Sequence, residues 1–367
     1  MKKCKCFIAI GHLRFGGIQK SLLSFLEKIL PNAEVDLLMW DNVGELQVPK
    51  EVNVLNIPTV KSVKYAIKRH GLFSKITLYS ILGCFRKKRW KVMPRPKTKY
   101  DLAISYTNGG YGKYFVIDKI NADKKYTFFH NGAYEEVGIR KEWDKEYYPK
   151  YDKVFAVSNH IKDMLVGELG DSGNYDVFPN FINVESIKEL GKEPCEIMDE
   201  YNGLKILSVG RLSKEKNPLI IPEVARELVN KGVEFKWFIV GAGDMYNELQ
   251  SLIKENGLES NVVLCGGQLN PYKYMSRCDI YAQFSKYEAD PITVKEVSVF
   301  NKKLILSDIP AFRFLEDKLN NVIIVSNDAK SIADEIITIE DITNKENNNL
   351  EFLNEIPNKK LKEILFI

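Results

Sequence analysis

Residues 206–218 read ILSVGRLSKEKNP, a short apolar run that leads through a glycine into a cationic loop ending in Asn-Pro. Such a run is typical of a buried parallel strand, and a proline at this place is typical of the first turn of a helix. The same order of apolar run, polar loop and helical spacing returns along the chain. It predicts an α/β fold of two Rossmann-like, doubly wound domains facing a cleft.

The expected strands are all short apolar runs. They are 7–10, 35–39, 52–55, 102–106, 126–129, 154–157, 206–209, 237–240, 262–264, 280–284, 304–306 and 322–325. The stretch 179–204 is charged, contains prolines and shows no strand, so the domain boundary is predicted there. We expect an N-terminal domain over 1–185, a C-terminal domain over 186–345, and a tail over 346–367 that packs back on the first domain.

The 367 residues have the composition of a folded globular protein, with 45% apolar and 28% charged residues. This excludes disordered, collagen-like and coiled-coil chains, and no apolar run approaches the roughly 20 residues of a membrane-spanning helix. The start of the chain has too short an apolar core for a signal peptide, so a cytoplasmic location is expected. The six cysteines include no Cys-x-x-Cys and the four histidines are scattered, which predicts free buried thiols and no metal site.

The net charge of +4 is unevenly distributed. Between Glu51 and Asp101 the chain carries thirteen Lys and Arg and no acidic residue. Apolar residues such as Phe85 and Trp90 lie among these cations, so residues 61–99 are predicted to dock on an anionic membrane surface. The alternative is a solvated helix whose apolar face is buried in the first domain. No motif for reading nucleic acid accompanies the segment, so nucleic acid is not an expected partner.

Two glycine elements follow predicted strands. Gly16 and Gly17 close the first strand-to-helix turn, where backbone N–H groups could approach an anion or simply form a tight turn. Gly241 begins Gly-Ala-Gly after the strand 237–240, where Asp244 as a helix cap is favoured over direct phosphate contact. Neither element reads Gly-x-Gly-x-x-Gly, which argues against a nicotinamide-dependent oxidoreductase.

Arg211 and Lys216 follow the strand 206–209 on a strand-to-helix loop. In a doubly wound sheet the carboxyl ends of strands border the ligand crevice. There an Arg fork and a Lys point charge suit a diphosphate, the alternative being a solvated basic loop.

Glu288 lies in a loop before Pro291, and Glu296 lies on the helix that follows. Acidic residues are frequent enough that this spacing alone proves little, so the strand–loop–helix placement carries the prediction. The backbone amides of Ile292 and Thr293 would hold phosphate between the two carboxylates.

In this order the elements resemble the retaining glycosyltransferases of the GT-B fold, family 4 (glycosyl transferases group 1), and especially enzymes that build bacterial capsules and other surface polysaccharides. The resemblance spans roughly residues 5–327. It rests on Gly16-Gly17, Val157-Ser158, Pro179-Asn180, Gly210-Arg211, Lys216-Asn217, Gly241-Ala242-Gly243, and Glu288 with Glu296.

The resemblance implies a role for each matching residue. The donor-binding residues would be Gly16, Gly17, Arg211, Lys216, Gly241, Ile292, Thr293 and Glu296. Among them, Arg211 and Lys216 would neutralise the diphosphate leaving group and Glu296 would bind the ribose. The catalytic residues would be Glu288, His130, Arg211 and Lys216, with Glu288 and His130 against the transferred sugar.

The activity implied is that of a retaining, metal-independent hexosyltransferase without a cofactor. It would move a sugar from a nucleotide sugar to a glycan or a polyprenyl-phosphate-linked acceptor, as a peripheral protein at the inner face of the membrane. The chain departs from the family at Ala289-Asp290, where Gly-Phe is common, and at 301–303, where Gly-x-Pro is frequent. The first departure would alter the loop over the donor sugar, and it supports the alternative of a catalytically silent partner subunit.

Overall fold

The computed structural model describes residues 3–14, 16–40, 46–55, 88–338 and 350–365. The chain divides into two compact units. Unit 1 runs to Phe181 and takes in the segment from Ile356 onward, and unit 2 is Ile182–Glu355. The division thus lies close to residue 185, where the sequence placed it, whereas the returning segment begins later than residue 346.

Unit 1 alternates strands and helices. In chain order the elements are β1 Cys4–Ile10, α1 Gly17–Ile29, β2 Ala33–Met39, β3 Asn53–Leu55, β4 Lys99–Ser105, α2 Gly112–Lys119, β5 Asn121–Phe129, α3 Ile139–Tyr147, β6 Lys153–Ala156, α4 Asn159–Leu169 and β7 Tyr175–Val177. Their strands form a seven-stranded parallel sheet in the order β3-β2-β1-β4-β5-β6-β7.

Unit 2 repeats the design. Its elements are α5 Val184–Leu190, α6 Glu196–Asp199, β8 Leu204–Val209, α7 Ile220–Asn230, β9 Phe235–Val240, α8 Tyr246–Glu255, β10 Val262–Gly266, α9 Tyr272–Met275, β11 Ile280–Gln283, α10 Ile292–Ser298, β12 Lys303–Ser307, α11 Pro310–Glu316, β13 Val322–Val325 and α12 Ala329–Thr338. The helix α13, Phe352–Leu365, follows. The strands form a six-stranded parallel sheet in the order β10-β9-β8-β11-β12-β13.

The predicted α/β class with two parallel sheets is confirmed, and a strand lies at every predicted run. The strand that the sequence did not indicate is β7. It has three residues, and Tyr175 alone among them is buried, so it carries no apolar run.

The sheet of unit 2 is buried on both faces, which explains its near-continuous apolar strands. Ile206 and Ile280 lie in a core covered by α7, α8 and α12. Their neighbours Leu207 and Tyr281 lie in a second core covered by α9, α10 and α11. Successive residues of a strand therefore contribute to opposite cores, and both must be apolar.

The end of α13 packs in unit 1. Ile364 and Leu365 are buried in the same core as Cys6 and Phe25. Lys360 Nζ donates a hydrogen bond of 2.7 Å to Asp176 Oδ2, just after the start of β7. The last helix therefore completes a core that the first part of the chain begins.

The predicted membrane segment falls mainly on residues 61–87, which lie outside the described residues. At Trp90 the expectation is wrong, because this indole is fully buried. Its ring stacks on Tyr111 at 5.5 Å between centroids, and its Nε1 donates to Asp118 at 2.7 Å. Because the indole packs against α2, the apolar surface of Trp90 is not available for contact with a membrane. No helix in the described ranges is long and apolar enough to cross a membrane.

The cysteines within the described ranges are free thiols, and Cys6, Cys195 and Cys278 are buried. Burial raises the pKa of Cys278 to about 12. Among the described residues no group of three His, Cys, Asp or Glu side chains could hold a metal ion.

Candidate functional site

A pocket opens at the carboxyl ends of β8 and β11 in unit 2. Its lining includes Gly210, Arg211, Lys216, Asn217 and Gln283. The strand order β10-β9-β8-β11-β12-β13 reverses between these two strands. Connections leave the sheet in opposite directions at such a switch point, which opens a crevice where ligands bind in doubly wound folds.

The loop after β8 is held against the end of β9. Gly210 N–H donates to the Val240 carbonyl and Leu212 N–H to the Ala242 carbonyl, both at 3.0 Å. A 3-10 turn, Lys214–Lys216, follows, and Asn217 then adopts a φ of 51°. Asparagine tolerates this left-handed conformation better than most side chains, so it redirects the chain towards α7 and leaves Lys216 at the pocket.

The glycines after β9 serve a close approach between backbones. A Cβ on Gly241 would lie 1.8 Å from the Gly210 carbonyl oxygen, and one on Gly243 would lie 2.3 Å from that of Leu212. Gly241 N–H donates to the Gly266 carbonyl at 2.8 Å, so this amide already has a partner. These glycines therefore let the Arg211 loop lie close against the end of β9.

Asp244 lies near the N-cap of α8, as the sequence predicted, but it does not cap the helix. Met245, the next residue, holds the N-cap position, and no side-chain hydrogen bond is formed there. Met245 N–H donates instead to the Leu212 carbonyl at 3.0 Å, so contact with the neighbouring loop fixes where the helix starts.

Glu288 is the centre of a dense hydrogen-bond cluster. Its Oε1 accepts from Lys216 Nζ at 2.5 Å, from Gln283 Nε2 at 2.6 Å and from Ser285 Oγ at 2.7 Å. The carboxylate side chain is only 9% exposed, whereas that of Lys216 is 26% exposed. The structure therefore brings together the cation and the carboxylate that the sequence proposed, although 72 positions separate them along the chain.

The two loops that carry these charges are also joined through their backbones. Lys286 N–H donates to the Glu215 carbonyl at 2.8 Å. Together with the Lys216–Glu288 ion pair, this bond makes the loops after β8 and β11 a single platform at the switch point. Arg211 lies on the same platform and is exposed, as a group that meets a ligand from solution would be.

Glu296 is buried on α10 and 4% exposed. Its Oε1 accepts a hydrogen bond of 2.7 Å from Tyr272 OH on α9. Burial and the neighbouring Glu296 carboxylate raise the pKa of Tyr272 well above its ordinary value, so the phenol stays a proton donor. Sequence reasoning missed Tyr272, because its own segment carries no motif and only folding brings it to Glu296.

Ala289 and Asp290 differ from the residues common in the family, and Ala289 and the side chain of Asp290 are buried. Asp290 forms an ion pair with Lys295 on α10, and both side chains are 5% exposed. The Asp290 carbonyl also accepts from Ile292 N–H at 2.8 Å. A phosphate at the Ile292 amide would therefore replace an existing hydrogen bond.

The other predicted residues lie in unit 1. His130 follows β5, and its backbone N–H donates to Asn108 Oδ1 at 3.2 Å. Its ring lies 4.9 Å from the Tyr106 ring and is nearly parallel to that of Phe128. Gly16 is the N-cap of α1 and Gly17 its first residue, so these glycines flank the switch point between β1 and β4.

A protein-family model matches the second half of the chain. Residues 200–364 match the family model described as glycosyl transferases group 1. The matched region contains Arg211, Lys216, Glu288 and Glu296, all four of the charged site residues predicted in unit 2.

Two curated relatives show the range of the similarity. One is the N-acetylgalactosamine-N,N'-diacetylbacillosaminyl-diphospho-undecaprenol 4-alpha-N-acetylgalactosaminyltransferase of Campylobacter jejuni, 34% identical over 38% of this chain and 37% of the relative. The other is the UDP-Gal:alpha-D-GlcNAc-diphosphoundecaprenol alpha-1,3-galactosyltransferase of Escherichia coli, 22% identical over 93% of this chain and 90% of the relative. The chain matches less than half the length of several curated relatives.

A solved structure extends the likeness to the whole fold. The crystal structure of Anabaena Alr3699/HepE in complex with UDP and glucose has a TM-score of 0.72 to this chain, with 15% identity and 99% of both chains covered. The family resemblance and the GT-B fold predicted from the sequence are thus confirmed.

Proposed function

We propose that this chain is a retaining glycosyltransferase that transfers a sugar from a nucleotide sugar to a hydroxyl of a glycan or a lipid-linked acceptor. The observation that carries the proposal is the Lys216–Glu288 pair, 2.5 Å apart beside the pocket at the switch point of the group 1 region. It supplies a cation for a departing diphosphate and a carboxylate for the transferred sugar in one place.

The leaving group needs positive charge. As the glycosidic bond breaks, negative charge grows on the nucleoside diphosphate and positive charge grows on the sugar ring. Arg211 and Lys216 would take up the first charge, which lets the reaction proceed without a metal ion. Lys216 would exchange its partner Glu288 for phosphate when the donor binds.

Glu288 would face the sugar and stabilise the positive centre. Its position is fixed by two donors besides Lys216, so it would keep its place when Lys216 turns to the diphosphate. Glu296, buried against Tyr272, would bind the ribose. Gly16, Gly17, Gly241 and the amides of Ile292 and Thr293 stay predicted donor contacts, and His130 stays a predicted sugar contact.

We propose a UDP-linked donor and a polyprenyl-diphosphate-linked acceptor. The Escherichia coli relative is named for UDP-Gal and an undecaprenol-linked acceptor, and the Campylobacter relative is named for an undecaprenol-linked acceptor. Such an acceptor would put the protein at the inner face of the membrane, as a peripheral protein in surface polysaccharide synthesis. Residues 61–99 remain the proposed contact, without Trp90.

Binding and turnover of UDP-sugars test the proposal. UDP should raise the melting temperature, because a ligand that binds only the native state stabilises it. UDP should also be released from at least one of UDP-glucose, UDP-galactose and UDP-N-acetylglucosamine. The Lys216→Ala variant should lose most of both effects. Stabilisation by UDP without any turnover, even with lipid-linked acceptors, would favour the catalytically silent subunit, and absence of binding would refute both.

A further inference from the structure

Gln283 is the last residue of β11 and is polar in an otherwise apolar strand. Its side-chain amide is fully hydrogen-bonded. Nε2 donates to Glu288 Oε1 at 2.6 Å and to Ser285 Oγ at 3.1 Å. Oε1 accepts from Tyr281 OH at 2.6 Å and from Thr293 Oγ1 at 3.1 Å. Two donors and two acceptor sites are all that a glutamine amide offers.

The surroundings fix which way this amide points. Two hydroxyl groups, on Tyr281 and Thr293, supply protons to its oxygen. The opposite orientation would place the amide oxygen against the Glu288 carboxylate, where two acceptors repel each other. The NH₂ group must therefore face Glu288, and Gln283 is 7% exposed, so solvent does not compete for it.

The cluster links three separate segments. Tyr281 OH also contacts the Val209 carbonyl at the end of β8, at 3.2 Å. Thr293 lies in the first turn of α10, and Glu288 lies in the loop between. Gln283 therefore ties the carboxylate to the ends of β8 and β11.

We propose that Gln283 is a positioning residue: it holds the Glu288 carboxylate in place when Lys216 turns to the diphosphate. The inference rests on the proposed function, because it is that reaction which needs Glu288. A residue that acts in this way affects the chemical step through Glu288 and contributes little to the binding of UDP itself.

The proton affinity of Glu288 is a direct readout. Its titratable neighbours are Lys216, whose Nζ contacts the carboxylate, and Tyr281 on β11, which interacts with both Glu288 and Glu296. Arg211 and Glu215 lie on the same loop as Lys216 and interact with each other there. None of these changes in a Gln283 variant, so a shift in the Glu288 titration reports the lost amide. Gln283→Leu removes the donor, and Gln283→Glu replaces it with a second carboxylate.

The titration would be followed by NMR on protein labelled with ¹³C at the glutamate carboxyl groups. The Glu288 signal is identified by its loss in Glu288→Gln. We expect the Glu288 midpoint to rise in Gln283→Leu. In Gln283→Glu the introduced carboxyl group and that of Glu288 should titrate as a coupled pair, with a midpoint raised by about one unit or more. Asn261, whose amide donates to the Phe235 carbonyl at 3.4 Å near the amino ends of the strands, gives matched controls, and Asn261→Leu and Asn261→Asp should leave the Glu288 midpoint unchanged.

Steady-state kinetics with a UDP-sugar supply the second readout. Both Gln283 variants should lower kcat by about tenfold to 100-fold, as expected for a displaced reacting group, with KM for the donor within about threefold. Unchanged kcat together with an unchanged Glu288 midpoint would overturn the inference. So would a raised KM alone, which would make Gln283 a donor contact. If the wild-type protein shows no turnover, the proposed function fails, while the NMR titration still decides whether Gln283 controls Glu288.

Discussion

Lys216 and Lys214 occupy the same 3-10 turn but have different surroundings. Lys216 contacts Glu288, whereas Lys214 is exposed. We expect Lys216→Ala to lower kcat by about 100-fold or more, since it removes a charge-assisted contact to the leaving group. Lys214→Ala should stay within about twofold of wild type. UDP release at saturating donor measures both, and equal effects from the two variants would place Lys216 outside the site.

Substitution of Glu296 and of Glu288 should affect different kinetic constants. Glu296→Gln should raise KM for the donor about tenfold with little change in kcat, because it weakens a contact made before and during the reaction. Glu288→Gln should lower kcat. Tyr272→Phe removes the hydrogen bond to Glu296 and should mimic part of the Glu296→Gln effect. If both Glu variants raise KM alone, Glu288 has no part in the chemistry.

Some site residues could be predicted from the sequence and others could not, for a physical reason. Lys216 and Glu288 each follow an apolar run, and the order of the strands then brings the loops together. Gln283 acts through Glu288 and Thr293, and the contact with Thr293 exists only because β11 packs against α10. The polar Gln283 within the apolar run 280–284 was the available signal for this residue.

At the scale of elements, the contact between the loops after β8 and β9 depends on glycine. Gly241→Ala should lower the free energy of unfolding by about 3 kcal/mol, because its Cβ would meet a backbone oxygen that cannot move aside. Gly167 on α4 has open space around its Cβ position, so Gly167→Ala should stabilise by up to about 1 kcal/mol. Denaturant titration compares them, and similar stability for both variants would contradict the close approach.

The ion pair between α13 and β7 gives a pH-dependent test. Burial opposes the shift, but hydrogen bonds from Lys360 and a backbone N–H lower the pKa of Asp176 below its ordinary 3.8. Burial alone would lower the pKa of Lys360, but the hydrogen bond and the charge of Asp176 outweigh it and raise this pKa above 10.5. The stability that Asp176 contributes to the folded state is therefore present above pH 3.8 and is lost as the pH falls through the lowered pKa. The Lys360 contribution is present below pH 10.5 and lost as the pH rises through the raised pKa.

We expect Lys360→Ala to destabilise the protein by about 1 kcal/mol at pH 7, since the pair is partly screened by solvent. The destabilisation caused by Lys360→Ala should be smaller in acid, because Asp176 then becomes protonated in the wild type. The exposed neighbour Lys359 provides the control, and Lys359→Ala should change stability little at any pH. A cost for Lys360→Ala that is the same at pH 7 and in strong acid would rule out the ion pair as its cause.

The elements themselves followed from local pattern. Strands buried on both faces must be apolar throughout, so β8 and β11 could be recognised from their own residues. Strand β7 could not, because Asp176 at its middle serves a partner on α13 that lies far along the chain. The same is true of the start of α8, which the Leu212 carbonyl determines from another loop.

At the scale of the whole molecule, hydrogen exchange can locate the donor. UDP should slow amide exchange in 208–218 and 283–296, the two loops that form the platform. The prediction for Gly16 and Gly17 requires slower exchange in the loop before α1 as well, although it belongs to the other unit. The segment 329–338 should not respond. Protection confined to unit 2 would remove these glycines from the site, and none at 208–218 would remove the platform.

The core of unit 1 has a consequence for biosynthesis. Ile364 and Leu365 belong to that core, yet the ribosome makes them only after every residue of unit 2. During translation this part of the apolar interior of unit 1 stays exposed to water until the last helix is made. Unit 2, in contrast, is formed from one continuous stretch of the chain. Chaperones that shield exposed apolar surface would therefore be needed longest by the half of the protein that is synthesised first.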